Sequence, residues 1–405
     1  MYILRNLLSC LLLTTSHIVV TVTAKTDREE EKNHPESLLF SEKSQQTQPS
    51  YLRKTNTDNT NSTVILHNFQ LEEDEASYLD SVAERMRPRP LFVDSDSTKQ
   101  FFHLHHMKSG GTSLSSWISC GLRRQAKITQ QRITQYRLSE CSYSTFQQCI
   151  KSPSHSCRKS IESSSVMTYC APLAVTEIMD WNDADAITMM RHPVDRVWSM
   201  FRFQTKSCFK CNDLKTVYQD IADGNTSQYG TGVCLAQISN HLTRNLLTNL
   251  TVDDLTHADY NDMSEEQQVM NAIESIRYRF NVVGVLEQLN ETIKQLGYTF
   301  PWIAEELQAE SKDDDDDDDG NENGNENDGA KSDIHCPFPH RNASPSNNHC
   351  GEHGSHWDLP HRPDEETWKL IEEHNQLDMA VYEAALEHFE VQKKAMSMTD
   401  MEDIE

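Results

Sequence analysis

Six consecutive residues in the first third of the chain combine a lysine, two glycines and three hydroxyl side chains, in the order Lys108, Ser109, Gly110, Gly111, Thr112 and Ser113. Glycines let the backbone curl so that successive N–H groups point to one side, and such a curl binds anions. An apolar run before the loop predicts a strand, and the residues after it predict a helix whose first N–H groups add further donors. The pattern therefore predicts a phosphate or sulfate site.

The loop differs from the Walker A motif, in which the lysine follows the second glycine. Here Lys108 precedes both glycines. A kinase that uses a nucleoside triphosphate is therefore a disfavoured alternative, since the chain also lacks a clear Mg²⁺-binding motif. Taken on its own, the loop is also compatible with a simple polar turn.

A second pattern that suits an anion follows a later apolar run, Ala186–Met190. Arg191 comes directly after this predicted strand, Pro193 suits the first turn of a helix, and Ser199 lies about two turns into that helix. An arginine and a hydroxyl placed in this way can bind one phosphate together. Because open parallel sheets bind ligands at the carboxyl ends of their strands, we expect the two patterns to meet at one edge of a sheet.

Short apolar runs alternate with helix-length segments from residue 99 onward, a pattern that predicts βαβ units and a parallel sheet. The predicted strands are Phe101–His106, Val166–Tyr169, Ala186–Met190 and Val282–Leu286. Helical character is predicted before them, over 68–87, and a terminal helix over 364–393. The apolar face of that helix is formed by Trp368, Ile371, Val381, Ala385 and Phe389, with Asp378 among them. We therefore expect an α/β fold of three layers, with a central parallel sheet flanked by helices.

Composition and charge exclude several classes of protein. The chain has 405 residues, of which 36 % are hydrophobic, and a formal net charge of −26. This acidity argues against a nucleic-acid partner, which needs an excess of Lys and Arg, and a single apolar segment argues against a polytopic membrane protein. Ten basic residues nevertheless fall between 97 and 161, against one acid, Glu140. This basic segment supports a local anion site.

Acidic residues concentrate in one low-complexity segment. Residues 312–333 hold eleven of them against two lysines, and seven aspartates are consecutive. Adjacent carboxylates repel one another and stay solvated, so we expect a disordered acidic insertion over 311–334. A calcium-binding role for this segment is a weaker alternative.

The N-terminus predicts entry into the secretory lumen. Residues 7–24 are largely apolar, and the small residues Val22 and Ala24 fit a signal-peptide cleavage site; an uncleaved type II signal anchor, which would attach the chain to the membrane, is equally compatible. Five N-x-[ST] sequons give modest further support. The expected organisation is a signal segment over 1–24, a flexible stem over 25–67, a folded domain over 68–393 and a C-terminal tail over 394–405.

Cysteine usage agrees with the lumen, because ten of the eleven cysteines follow the apolar segment and an even number suits disulfides. Cys208–Cys211 and Cys336–Cys350 are the local bridges that the sequence suggests. The segment 335–361 is rich in histidine, and a zinc cluster there is an alternative, although its spacing fits no common zinc finger.

Together the two anion-binding patterns resemble the elements of Golgi carbohydrate sulfotransferases that bind 3′-phosphoadenosine 5′-phosphosulfate (PAPS), and the heparan-sulfate and uronyl O-sulfotransferases are the most similar of these. The resemblance covers about 99–391 without the acidic insertion. It includes Phe280–Glu287, which is similar to the family's late strand, and Asn375, Asp378 and Tyr382, which match its C-terminal helix.

The resemblance implies a P-loop-like fold and a residue-by-residue assignment of the PAPS site. The first loop, Lys108–Ser113, would hold the 5′-phosphosulfate, whereas Arg191 and Ser199 would hold the 3′-phosphate. Lys108 would also neutralise charge on the leaving phosphate. No metal is required for this chemistry.

The implied activity is transfer of a sulfuryl group to a carbohydrate hydroxyl in the Golgi lumen, by a single-pass type II membrane protein or, after cleavage, a secreted one. The acceptor would be a glycan or proteoglycan, and an anionic glycan would suit the basic residues after the first helix. These are Arg123, Arg124, Lys127, Arg132 and Arg137. An exposed basic face without a ligand is the alternative.

The chain departs from the family's pattern at one position. Relatives of the 2-O type often carry a catalytic histidine after the second strand, where this sequence has Cys170. His105 and His106 are candidate bases because they lie next to Lys108, and Glu177 is a weaker candidate. The missing histidine leaves a catalytically inactive, glycan-binding relative as a further alternative.

Overall fold

The computed structural model describes residues 74–304 and 360–402 with internal gaps, together with Cys336 and Phe338. The gaps are 95–96, 99, 130–132, 134, 138–155, 170–171, 179–180, 182, 205–206, 230–231, 249 and 251–262. The predicted signal segment, stem and acidic insertion lie outside the described residues. Among the helices that are described, none is long and apolar enough to cross a membrane.

A five-stranded parallel sheet forms the centre of the fold. Before it in the sequence, β1 (Phe92–Asp94) and β2 (Ser97–Thr98) form a separate antiparallel pair. The strands of the central sheet are β3 (Phe101–Leu104), β4 (Gln135–Arg137), β5 (Val166–Tyr169), β6 (Asp185–Met190) and β7 (Val282–Val285), and their spatial order is β4–β5–β3–β6–β7. The four predicted strands and the parallel arrangement are confirmed. The first predicted strand ends at Leu104 instead of His106, so both of the adjacent histidines belong to the loop.

Helices connect the strands and cover the sheet. They are α1 (Glu75–Met86), α2 (Gly111–Thr129), α3 (Ser156–Glu162), α4 (Ala174–Ile178), α5 (Pro193–Gln204), α6 (Leu214–Ala222), α7 (Gly232–Ala236), α8 (His241–Leu246), α9 (Glu265–Arg279), α10 (Leu289–Thr299), α11 (Pro301–Ala304), α12 (Glu365–His374) and α13 (Gln376–Glu402). Short 3₁₀ turns occur at Thr226–Gln228 and Leu286–Gln288.

Alternate residues of the strands enter hydrophobic clusters on opposite faces of the sheet, as the two-residue period of a strand requires. Phe101 belongs to a cluster with Trp117 of α2, whereas Phe102 belongs to a second cluster with Ile273 of α9 and Phe389 of α13. All five side chains are buried. Helices therefore pack on both faces, as expected for a parallel sheet.

The order of the strands creates a switch point at the centre of the sheet. β3 lies between β5 and β6. After β3 the chain builds β4 and β5 on one side, and it then builds β6 and β7 on the other. In open parallel sheets such a reversal leaves a crevice beyond the carboxyl ends of the two central strands, where ligands bind. The loops that follow β3 and β6 flank this crevice, and they carry the two predicted anion-binding patterns.

The C-terminal region contains two helices where the sequence predicts one over 364–393. The break falls at Asn375, whose side-chain Nδ2 donates to the carbonyl oxygens of Ile371 at 2.9 Å and Ile238 at 3.0 Å. The second helix, α13, continues to Glu402, past the predicted boundary at residue 393. Its residue Ala395 is buried in a cluster with Tyr78 of α1. Part of the predicted tail is therefore packed helix.

Both suggested local disulfides are wrong. Cys208 pairs with Cys234 of α7, and Cys336 pairs with Cys120 of α2. Cys211 is also disulfide-bonded, but not to Cys208. Pairing follows spatial proximity in the fold, and the helices bring together cysteines that lie far apart in sequence.

Candidate anion-binding site

The loop between β3 and α2 has an unusual backbone. Lys108 has φ = 65° and Gly110 has φ = 78°, both in the left-handed region. Glycine adopts this region without a steric cost, but a lysine there is uncommon. Backbone conformations of this kind cluster at functional sites. The backbone of this turn therefore makes it a candidate functional site.

Both glycines lie against neighbouring side chains, and the positive φ of Gly110 also favours glycine there. A Cβ atom at Gly110 would lie 2.8 Å from Met189 Sδ and 2.9 Å from Leu286 Cδ1. A Cβ atom at Gly111 would lie 2.0 Å from Cδ2 of His105. The loop therefore sits directly against the ends of β6 and β7, and a larger residue at either position would displace it.

Donors in the loop are available to an anion. Ser109 is fully buried, and its hydroxyl has no hydrogen-bond partner within the described part of the chain. A buried hydroxyl in this state costs free energy unless a ligand or water satisfies it. Helix α2 begins at Gly111, and the N–H groups of Ser113 and Leu114 donate to the Gly110 carbonyl oxygen at 3.0 and 3.2 Å. The N–H groups of Gly111 and Thr112 are therefore the first-turn donors that have no partner inside the helix. Thr112 is exposed in that first turn, and Ser113 is buried behind it.

Lys108 and Arg191 bring the two loops together. Arg191 Nη1 donates to the backbone carbonyl oxygen of Lys108 at 3.0 Å. Lys108 Nζ lies 4.3 Å from the ring centroid of Phe203 on α5. Burial lowers the pKa of Lys108, and the charges of Arg191 and Arg202 lower it further. Because three cations lie close together, a bound anion would relieve their repulsion.

Ser199 lies on α5, partly buried, two turns after the start of that helix. Residues four apart share one face of a helix, so Ser199 lies on the same face as Phe203. The lysine of the first loop covers that face at Phe203. Lys108, Arg191 and the face of α5 that carries Ser199 and Phe203 therefore lie close together after β3 and β6.

The two candidate bases differ in their surroundings. His105 is partly buried; its ring stacks on that of His103 with centroids 5.7 Å apart and lies against Gly111. Burial lowers the pKa of His105 to about 4. His106 is buried, and burial, with the nearby charge of Arg196, lowers its pKa to about 3. Both rings are neutral at neutral pH, and only His105 retains exposure to solvent.

The other candidate base, Glu177, is partly buried on α4, and Cys170 lies outside the described residues. Of the basic residues proposed for a glycan, Arg123 and Lys127 are exposed. Arg124 is buried instead, and its Nη2 donates to the carbonyl oxygen of Trp302 at 3.1 Å. Arg124 therefore has a structural role and does not belong to an exposed basic face. The side chains of Arg132 and Arg137 lie outside the described set.

Sequence reasoning missed Arg196, although it stands within the second pattern. Its guanidinium is fully buried; Nη1 donates to the carbonyl oxygen of Gln237 at 2.8 Å, and Nη2 lies 3.5 Å from Oδ2 of Asp378. Asp378 also accepts from the backbone N–H groups of Leu242 and Thr243. This buried network fixes α5 to α13. In the sequence, this buried pair was indicated only by the presence of Asp378 on an otherwise apolar helix face.

Glu287 was also missed as a site residue. Its carboxylate accepts from the backbone N–H of His192 and from the hydroxyl of Tyr382. Its position just after the last strand was the signal that could have identified it.

Most of the histidine-rich segment 335–361 lies outside the described residues. Where the structure describes the chain, no group of three His, Cys, Asp or Glu side chains is placed to hold a metal ion. Comparison of the chain with protein-family models, curated proteins and solved structures found no match.

Proposed function

We propose that the chain is a PAPS-dependent carbohydrate O-sulfotransferase of the Golgi lumen. The observation that carries this proposal is the 3.0 Å hydrogen bond from Arg191 to the Lys108 carbonyl oxygen. This bond joins the loop after β3 to the loop after β6 at the switch point of the sheet, and ligands of open α/β sheets bind at such points, which supports the proposal. The central position of β3, directly before the glycine loop, supports a P-loop-like fold.

We infer that the ligand is a nucleotide with phosphate groups at both the 3′ and the 5′ positions of its ribose. The unpartnered hydroxyl of Ser109, the first N–H groups of α2 and the ammonium of Lys108 would hold the 5′-phosphosulfate. The guanidinium of Arg191 and the hydroxyl of Ser199 would hold the 3′-phosphate. Ordinary nucleoside triphosphates have no 3′-phosphate, so this second pair favours the sulfotransferase over the kinase.

When bound, PAPS supplies an activated sulfuryl group. The bond from sulfur to the bridging phosphate oxygen breaks, the acceptor hydroxyl oxygen bonds to sulfur, and the hydroxyl proton moves to a base. Lys108 and the N–H groups of α2 stabilise the charge on the departing phosphate. Of the two histidines, His105 is the candidate base that we favour, since it is less buried than His106 and borders the loop. Positioning and charge stabilisation account for the chemistry, as in phosphoryl transfer.

Thermal unfolding of the full chain from a secretory host tests the cofactor. A ligand that binds the native state raises its melting temperature. We expect a rise with 3′-phosphoadenosine 5′-phosphate (PAP), and not with ADP at the same concentration. The rise should disappear in Arg191→Ala and persist in Arg87→Ala, whose charge is exposed and pairs with Glu84. No rise in melting temperature at millimolar PAP would contradict the proposal, and an equal rise with ADP would favour the kinase.

A turnover assay distinguishes an active sulfotransferase from a catalytically inactive, glycan-binding relative. Radiolabelled PAPS is incubated with the chain and a panel of neutral and anionic glycans, and label in the glycan fraction is measured. Binding of PAP without transfer to any member of the panel would favour the glycan-binding alternative.

A further inference from the structure

Glu287 joins two other elements at the edge of the candidate site. It lies in the turn after β7, and both of its carboxylate oxygens accept hydrogen bonds. Oε1 accepts from the backbone N–H of His192 at 2.9 Å, and Oε2 accepts from the hydroxyl of Tyr382 at 3.0 Å. With one bond on each oxygen, this side chain links the loop after β6 to α13.

The sheet register places Glu287 beside the second loop. β6 and β7 pair in parallel, with Met190 opposite Val285. His192 and Glu287 each lie two residues beyond this pair, so the bond from the His192 backbone N–H to the Glu287 side chain links the two segments just after the strands end. Arg191 lies between Met190 and His192, and the bond therefore constrains the backbone on which Arg191 is carried.

Aromatic side chains hold the ring of His192 as well. Its centroid lies 5.2 Å from that of Trp368 on α12 and 5.4 Å from that of Tyr382 on α13. The backbone of His192 is thus fixed by Glu287, and its ring is fixed by the C-terminal helices. Tyr382 takes part in both contacts, since its hydroxyl bonds the carboxylate and its ring meets the imidazole.

We propose that Glu287, supported by Tyr382, is a positioning residue that fixes the loop after β6 so that Arg191 is directed at the 3′-phosphate of the nucleotide. This inference rests on the proposed function. It also explains why a carboxylate is present beside a site for an anion. The hydrogen bonds of Glu287 organise the arginine before the ligand arrives, and such preorganisation improves affinity.

A substitution that neutralises Glu287 distinguishes a positioning role from a purely electrostatic one, because the two roles change the affinity for an anionic nucleotide in opposite directions. If Glu287 were only a nearby negative charge, its removal would strengthen binding of an anionic nucleotide. If it positions the loop, Glu287→Gln weakens binding, because a glutamine amide group cannot accept both bonds. Glu291→Gln is the matched control, since Glu291 follows one turn later and forms an exposed pair with Lys294.

Calorimetric titration of the full chain with PAP gives the test. We expect Glu287→Gln to bind about tenfold more weakly, the loss typical of one hydrogen bond to a charged acceptor. Tyr382→Phe, which removes a single hydroxyl and preserves the ring, should bind about threefold more weakly for the same reason. Glu291→Gln should match the wild type. In an Arg191→Lys background, the further loss from Glu287→Gln should be smaller, because the carboxylate acts through the arginine.

Amide hydrogen exchange without ligand adds a readout that a general loss of stability would not give. The His192 amide should exchange faster in Glu287→Gln, with the amides of β3 unchanged. Equal or tighter PAP binding by Glu287→Gln, or a fully additive loss in the Arg191→Lys background, would overturn the inference while the proposed function stands. A wild-type chain that does not bind PAP would instead overturn the proposed function, and the inference with it.

Discussion

Arg191 and Lys108, 83 positions apart in the sequence, are joined by a hydrogen bond from the guanidinium of one to the backbone carbonyl of the other. The bond uses one nitrogen of the guanidinium, and the other N–H groups have no hydrogen-bond partner among the residues that the structure describes. Because the acceptor is a main-chain oxygen of the glycine loop, the same arginine supports the shape of one proposed phosphate-binding loop and supplies the charge of the other.

Replacement of Lys108 tests the chemical role assigned to its ammonium. We expect Lys108→Ala to lower the rate of sulfuryl transfer by about 10²–10³, as for the loss of one oxyanion-stabilising donor. Lys294→Ala is the control, because that lysine is exposed and pairs with Glu291. Initial rates with saturating PAPS provide the measurement. A Lys108→Ala chain with a full turnover number would remove this lysine from the reaction.

Gly110→Ala should destabilise the fold and weaken nucleotide binding. The substitution places a side chain at φ = 78° and also forces its Cβ within 3 Å of Met189 and Leu286. Strain and overpacking together should cost about 2–4 kcal/mol. Gly224→Ala measures the backbone strain alone, because Gly224 has φ = 75° but a Cβ added there would meet nothing within 4 Å. This control substitution should lower the free energy of unfolding by about 1 kcal/mol. Urea unfolding gives the loss of unfolding free energy for both variants. Equal losses would show that the contacts of Gly110 with Met189 and Leu286 are unimportant.

Asp378→Asn should be among the most destabilising polar substitutions. Arg196 and Asp378 are both fully buried, and removal of the carboxylate charge leaves the guanidinium buried without a counter-charge. The expected loss is about 3–5 kcal/mol. Glu366→Gln breaks the exposed pair with Lys215 and should cause no measurable change. Chemical denaturation compares the two variants, and similar midpoints would refute the importance of the buried pair.

Stability should fall with acid because of buried neutral histidines. His388 is buried and its Nδ1 lies 2.6 Å from the hydroxyl of Tyr78. Burial lowers its pKa to about 3, from about 6.5 in the unfolded chain. The unfolded state therefore binds more protons below pH 6.5, so this contribution to stability is complete above that pH and is lost as the pH falls toward 3. At pH 5 the loss is about 2 kcal/mol.

Urea unfolding at pH 7.5, 6 and 5 measures this dependence. His388→Gln should show a shallower fall of unfolding free energy with acid, whatever its stability at pH 7.5. His106, whose pKa is also lowered to about 3, should leave part of the slope in place. Parallel curves for the wild type and the variant would show that His388 is not responsible.

Local patterns predicted the strands well and the helix ends less well. Val166–Tyr169 was predicted with its observed bounds, because a short apolar run between helix-length segments is typical of a buried parallel strand. β4 was not predicted, since Gln135, Tyr136 and Arg137 show no apolar run. The break at Asn375 was also missed, because its cause is a set of bonds to the segment around Ile238, far away in sequence.

The sequence by itself determined the local pieces of this protein: the glycine loop after one strand, the arginine after another, and the alternation that yields a parallel sheet. These follow from the spacing of neighbouring residues, which fixes the periods of strands and helices. Tertiary structure alone decided that the two loops touch, that Cys120 meets Cys336, that Asp378 is buried against Arg196, and that Glu287 holds the loop of Arg191. Each of these contacts depends on the order of the strands and the docking of the helices, which the interactions between sequence neighbours do not specify.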